Sequence, residues 1–151
     1  MSHSLSNILL HATFRTKDRF TEIPKSLWDE LHAYSHGILE HLDCPSLQIG
    51  CVSDHMHICF RLNKDCSASS VIGKVKANSS RWLKQNSLPS FSWKEGYGIF
   101  SIGQSQVDHV VKYIRHQEEH HRQRTFREEF LMFIEKYDMD CDRFLLEDPD
   151  I

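Results

Sequence analysis

Long apolar runs are missing from this chain. The longest, Phe130–Ile134, falls far short of the ~20 residues that span a bilayer. The opening residues carry no positive charge ahead of the short Ile8-Leu9-Leu10, so no secretory leader is expected and the chain reads as cytoplasmic. Cysteine is sparse: Cys44, Cys51, Cys59, Cys66 and Cys141 are odd in number and form no C-x-x-C pair. That excludes a disulfide scaffold, weighs against a cysteine zinc site, and suits free thiols in a reducing compartment. Neither sign of charge dominates. The net −3 argues only mildly against a polyanionic partner. Residues 139–151 hold Asp140, Asp142, Glu147, Asp148 and Asp150 against Arg143 alone, so the rest of the chain is close to neutral. There Lys74, Lys76, Arg81 and Lys84 occur without an acid, and Arg115, Arg122, Arg124 and Arg127 lie among His116, His120 and His121. Charge distribution therefore permits a nucleic acid where net charge does not suggest one.

What is present is the material of one α+β domain. Its length of 151 residues, 40% hydrophobic content and lack of repeats suit one globular unit, residues 1–138, followed by an acidic tail at 139–151. Asn7–Arg15 alternates and predicts a strand. After Pro24, the residues Leu27, Leu31, Tyr34, Ile38 and Leu42 recur at helical spacing. Leu47–Val52 and His55–Leu62 flank a tight Ser53-Asp54 turn as a hairpin. Ser67–Gln85 is amphipathic, Leu88–Gly103 is loop with short strand around Gly98–Ile102, and Gln104–His121 predicts a third helix. Thr125-x-x-Glu128 opens a fourth, with Phe126, Phe130, Phe133, Ile134 and Tyr137 as its stripe. The order β-α-β-β-α-β plus two helices is ferredoxin-like: an antiparallel sheet with two helices on one face.

Chemistry concentrates in Ser53–Leu62. Strand side chains alternate faces, so His55 and His57 share one face while Met56, Ile58 and Phe60 take the other. Burying the apolar set under the two helices puts both imidazoles on the open face, a platform for a metal ion. Tyr113 and Gln117, four apart on the third helix, sit on a shoulder of the Val107/Val110/Val111/Ile114 stripe. If that stripe covers the open face, both approach the histidines. Two imidazoles and an amide oxygen suit a divalent ion with positions left for phosphate oxygens, and Tyr113 would be the nucleophile.

These stretches resemble the small single-tyrosine transposases of the HUH (His-hydrophobic-His) superfamily, which include those associated with repetitive extragenic palindromes. The resemblance is carried in order by Leu10–Arg19, Asp54–His57, Phe91–Ser101, Tyr113–His121 and Phe126–Phe130. It implies a transposase-type endonuclease and strand transferase, dependent on Mg²⁺ or Mn²⁺, acting on single-stranded DNA near hairpins. Tyr113 would form a 5′-phosphotyrosine and release a 3′-OH, with His55, His57 and Gln117 as metal ligands. Similar proteins are homodimers whose tyrosine helix can serve the partner's histidines. The rival is a catalytically silent, host-adopted module of the same fold that only binds hairpin DNA or RNA; a hydrolase of small phosphoesters leaves Tyr113 without a task.

Other residues carry weaker expectations. Lys74, Lys76, Arg81, Lys84, Arg115 and Arg122 are candidate nucleic-acid contacts, as are His120 and His121, although a solvated helix end is the plainer reading for both histidines. Trp93 and Tyr97 either stack on bases or cover the core. His11 packs in or beside the sheet.

Overall fold

The computed structural model describes residues 3–18 and 20–139, so Asp140–Ile151 of the expected acidic tail lie outside the described residues. Four strands form one antiparallel sheet in the order β2-β3-β1-β4: β1 is Ile8–Arg15, β2 Ser46–Cys51, β3 His55–Leu62 and β4 Gly98–Ile102. Helices α1 (Trp28–His41) and α2 (Ala68–Gln85) connect them in the expected order, and Ser67 caps α2 by accepting from the Ser70 N–H. Three helices follow β4: α3 (Val107–Arg115), α4 (Gln117–His120) and α5 (Phe126–Lys136).

Strand alternation divides the interior. Ala12 and Phe14 of β1, with Met56, Ile58 and Phe60 of β3, are buried against Leu31 and Leu39 of α1 and Val71, Ile72, Val75 and Leu83 of α2. Trp93 belongs to this core. It packs edge-on to Phe14 and Phe91, and its indole N–H donates to Ser79 Oγ at 2.9 Å. The core-covering reading of Trp93 therefore holds, and base stacking does not. On the other face Leu9, Cys59 and Ile102 meet Val110 and Ile114 of α3. The sheet is thus sandwiched, and its second face is closed by the helices after β4.

Two features of α3 position the site. Gly50 of β2 lets the helix approach closely: a Cβ there would stand 2.5 Å from the Ile114 carbonyl oxygen. The expected single helix over Gln104–His121 is instead a 3₁₀ turn at Gln104–Gln106, then α3, a break at His116, and α4. Side chains fold back onto backbone carbonyls at the break: His116 Nδ1 lies 2.7 Å from the Lys112 oxygen, which also accepts from the His116 N–H, and Gln117 Nε2 donates to the Tyr113 oxygen. Gln117, 2% exposed, is turned into the interior.

Candidate active site

The sheet face covered by the helices after β4 carries a row of buried histidines. His11 of β1 and His55 and His57 of β3 are each essentially inaccessible. Each β3 imidazole has one ring nitrogen engaged away from the centre of the site. His55 Nδ1 is 2.6 Å from Asp54 Oδ1, and His57 Nδ1 is 2.8 Å from His11 Nε2. Partners of this kind orient ligating imidazoles and set which nitrogen carries the lone pair. The opposite nitrogens converge. His55 Nε2 is buried without a hydrogen-bond partner, while His57 Nε2 is 2.7 Å from Glu129 Oε1.

Glu129 comes from α5, whose Thr125 cap accepts from the Glu128 N–H. Phe126 and Phe133 flank it on the same helical stripe and press on His55 and His11 respectively. Its carboxylate joins the whole constellation. Oε1 faces His57 and, at 3.7 Å, His55 Nε2. Oε2 accepts from the Tyr113 hydroxyl and lies 3.2 Å from His121 Nε2. His121 Nε2 also meets Gln117 Oε1 at 2.9 Å. One ligand atom from each of His55, His57, His121 and Glu129 falls within 4.8 Å of the others, spacing compatible with a metal ion. The buried, unpartnered imidazole nitrogen beside mixed nitrogen and oxygen donors fits a divalent cation.

Electrostatics follow from this packing. Burial disfavours the imidazolium of His55 and, despite the Asp54 hydrogen bond, lowers its pKa to about 4. Burial, then the neighbouring His57, lowers His11 to about 3, so this ring is neutral near pH 7. Burial alone would raise Glu129, but His57 and His121 hold its carboxyl well below the usual range. Burial and the adjacent Glu129 charge push the Tyr113 phenol well above its ordinary value. The proton therefore stays on Tyr113 in this arrangement.

Expected site residues fare unequally. His55 and His57 share one face, Tyr113 lies with its ring 5.9 Å from that of His57, and Gln117 meets His121 Nε2 through its Oε1 at 2.9 Å. His121 is inside the cluster rather than a solvated helix end, because the break at His116 redirects α4; its side chain is only 11% exposed. His120 stacks on the Tyr113 ring at 4.6 Å. A cleft of about 370 Å³ beside them includes Lys112, Tyr113, His116 and His120 in its lining. Lys76 donates to the carbonyls of Lys94 and Gly96, so it anchors a loop. Lys74, Arg81 and Lys84 are exposed on α2, across the sheet from the histidines, whereas Arg115 and Arg122 are exposed near the tyrosine helix. Tyr97 is partly exposed. Sequence reasoning missed Glu129 and left His11 without a function. The available signal was a lone carboxylate at i+3 from Phe126 and i−4 from Phe133, on a stripe otherwise aromatic.

The family model described as "Transposase IS200 like" matches residues 4–117. Among curated proteins none matches the chain at a significant level. Two solved structures share the fold. One is a candidate transposase of Deinococcus radiodurans R1, 14% identical, with a TM-score of 0.63 over 78% of this chain and 95% of that one. The other is a REP-associated tyrosine transposase bound to a REP hairpin, 15% identical, with a TM-score of 0.61 over 80% and 72%. On the family match, and with the sheet in the order its sequence suggested, this chain belongs to the IS200-like family of single-tyrosine transposases.

Proposed function

We propose that this chain is a metal-dependent endonuclease and strand transferase that cleaves and rejoins single-stranded DNA beside hairpins. The observation that carries the proposal is the meeting of nucleophile and histidine pair on one carboxylate: Tyr113 donates to Glu129 Oε2 while His57 Nε2 faces Oε1. In this reading residues 1–138 are the catalytic domain and 139–151 an appended acidic tail.

Tyr113 Oη attacks the phosphorus of the scissile phosphodiester. The Oη–P bond forms as the P–O3′ bond breaks, leaving a 5′-phosphotyrosine. The departing electron pair stays on the 3′ oxygen, which takes up a proton to become the 3′-OH. The phenolic proton, hydrogen-bonded to Glu129 Oε2 before the reaction, is released to solvent as the Oη–P bond forms. Rejoining reverses the step, with a 3′-OH as attacking group. His55, His57 and the Gln117 oxygen would hold Mg²⁺ or Mn²⁺, with Asp54 and His11 steering the two imidazoles. When bound, such an ion polarises the phosphodiester and offsets the charge that develops on it. His120 lines the cleft at Tyr113 and, with the exposed Arg115 and Arg122, would contact phosphates, whereas Trp93 is committed to the core.

Hairpin recognition is supported by the REP hairpin held by the similar transposase. A cytoplasmic location accords with a DNA substrate, and no helix among the described residues is long and apolar enough to cross a membrane. A homodimer belongs to the proposal, and within one chain the Tyr113 ring lies 5.9 Å from that of His57.

End-labelled single-stranded oligonucleotides from the flanks of the gene, incubated with Mg²⁺ or Mn²⁺, test the reaction on a denaturing protein gel. A labelled protein band, lost in Tyr113→Phe, is expected. A band that persists in Tyr113→Phe refutes the nucleophile. Tight hairpin binding with no band in the unaltered protein favours the silent binding module.

A further inference from the structure

Glu129 holds more of the site together than accepting a proton from Tyr113 requires. Resting on the metal-dependent reading above, we propose that Glu129 is itself a protein ligand of the divalent ion, through Oε1, beside His55 Nε2 and His57 Nε2. Geometry points there first. Oε1 stands 2.7 Å from one imidazole nitrogen and 3.7 Å from the other, so an ion drawing these atoms around itself needs small side-chain shifts and no movement of the sheet. His55 Nε2 is the second observation. It is buried, has no hydrogen-bond partner and is turned toward the carboxylate, while the Nδ1 of the same ring is already spent on Asp54. A buried lone pair with nothing to accept from is costly unless a cation completes it.

The chemistry of the donors points the same way. Two imidazoles alone favour softer ions such as Zn²⁺ or Cu²⁺, whereas carboxylate oxygen is what Mg²⁺ and Mn²⁺ prefer. A carboxylate also supplies the negative charge that neutral imidazoles and an amide lack. Oε2 stays on the far side, where it faces Tyr113 and His121. His121 then acts as a positioning residue, because its Nε2 lies within reach of both Gln117 Oε1 and Glu129 Oε2. Four protein donors still leave positions of an octahedral ion open to phosphate oxygens.

Mn²⁺ binding, without DNA, separates this proposal from the reading beneath it. The loss of the free-ion electron paramagnetic resonance signal gives the affinity of the unaltered protein, His57→Ala and Glu129→Gln. Both variants are expected to bind Mn²⁺ roughly tenfold or more weakly. Loss in His57→Ala with unchanged affinity in Glu129→Gln would overturn the carboxylate ligand and leave the histidine site standing. Unchanged affinity in His57→Ala would overturn the metal site itself. The unaltered protein provides a check that no folding defect can confuse. With ¹³C-carboxyl glutamate and bound Mn²⁺, electron–nuclear double resonance should show the strong coupling of a directly bound carboxylate. Glu129 is the only glutamate in the cluster among the described residues, and absence of that coupling would sink the proposal.

Discussion

Gly50→Ala should damage catalysis more than its single methyl suggests. Gly50 is paired with His57 across the β2–β3 ladder and lies under α3. An alanine Cβ at this position would be 2.5 Å from the Ile114 carbonyl oxygen and 2.9 Å from Ile114 Cγ2, against the 3.4 Å at which ordinary contact begins. The side-chain atom can swing aside, but the carbonyl is helix backbone, so α3 must retreat by roughly 1 Å or β2 must bend. Overpacking of this kind costs about 1–3 kcal/mol. Tyr113 adjoins Ile114, and a displacement of about 1 Å in a reacting group costs on the order of 100-fold in rate. Gly37→Ala is the matched control: it is an exposed position of α1 with nothing within 4 Å of the new methyl. There the better helix propensity should stabilise by about 0.5–1 kcal/mol. Urea unfolding and the single-turnover rate of phosphotyrosine formation read both effects, with hairpin affinity measured separately. Gly50→Ala is expected to lose stability, keep hairpin binding and form adduct about 100-fold more slowly. Adduct formation at the wild-type rate would refute the idea that the Gly50–Ile114 approach sets the position of the nucleophile.

Thr125→Ala removes the cap of α5 and should cost about 1 kcal/mol, seen as faster amide exchange at Glu128 and Glu129; unchanged exchange would mean that packing alone holds the carboxylate in place. Ser79→Ala leaves the Trp93 indole N–H without its 2.9 Å acceptor in the core, so unfolding should become easier by about 1–3 kcal/mol. Because Ser79 is on α2, across the sheet from the histidines, adduct formation by the folded protein should stay at the wild-type rate. Chelation should abolish the covalent adduct. Mn²⁺ at about 100 times its dissociation constant should stabilise the native state by about 2.7 kcal/mol, an increment expected to vanish in His57→Ala. An equal increment in that variant would place the ion elsewhere.

Much of this site is local information, and the part that was hard to read is not. The facing of His55 and His57 follows from a period of two along one strand, and the neighbourhood of Tyr113 and Gln117 from a spacing of four along one helix. Burying Met56, Ile58 and Phe60 decides which sheet face the imidazoles occupy, so the platform was legible before any contact was known. The break at His116 was not, because the Val107–Ile114 stripe and the helix-favouring residues after it suit one continuous helix as well as two. At the break the His116 and Gln117 side chains fold back onto the Lys112 and Tyr113 carbonyls, contacts that periodicity does not register. His11 and Glu129 lie 46 and 72 residues from His57 in sequence. No spacing rule links them, since their meeting depends on how β1 and α5 pack on β3. Even so, Glu129 carried a physical warning. A carboxylate between Phe126 and Phe133 on the inward stripe of a helix must lose its water on folding, at a cost of several kcal/mol if uncompensated. That position can be occupied by an acid only where the surface it packs against supplies donors or a cation. The histidine face of β3 supplies them, so a misplaced charge on an apolar stripe is itself evidence for where α5 docks.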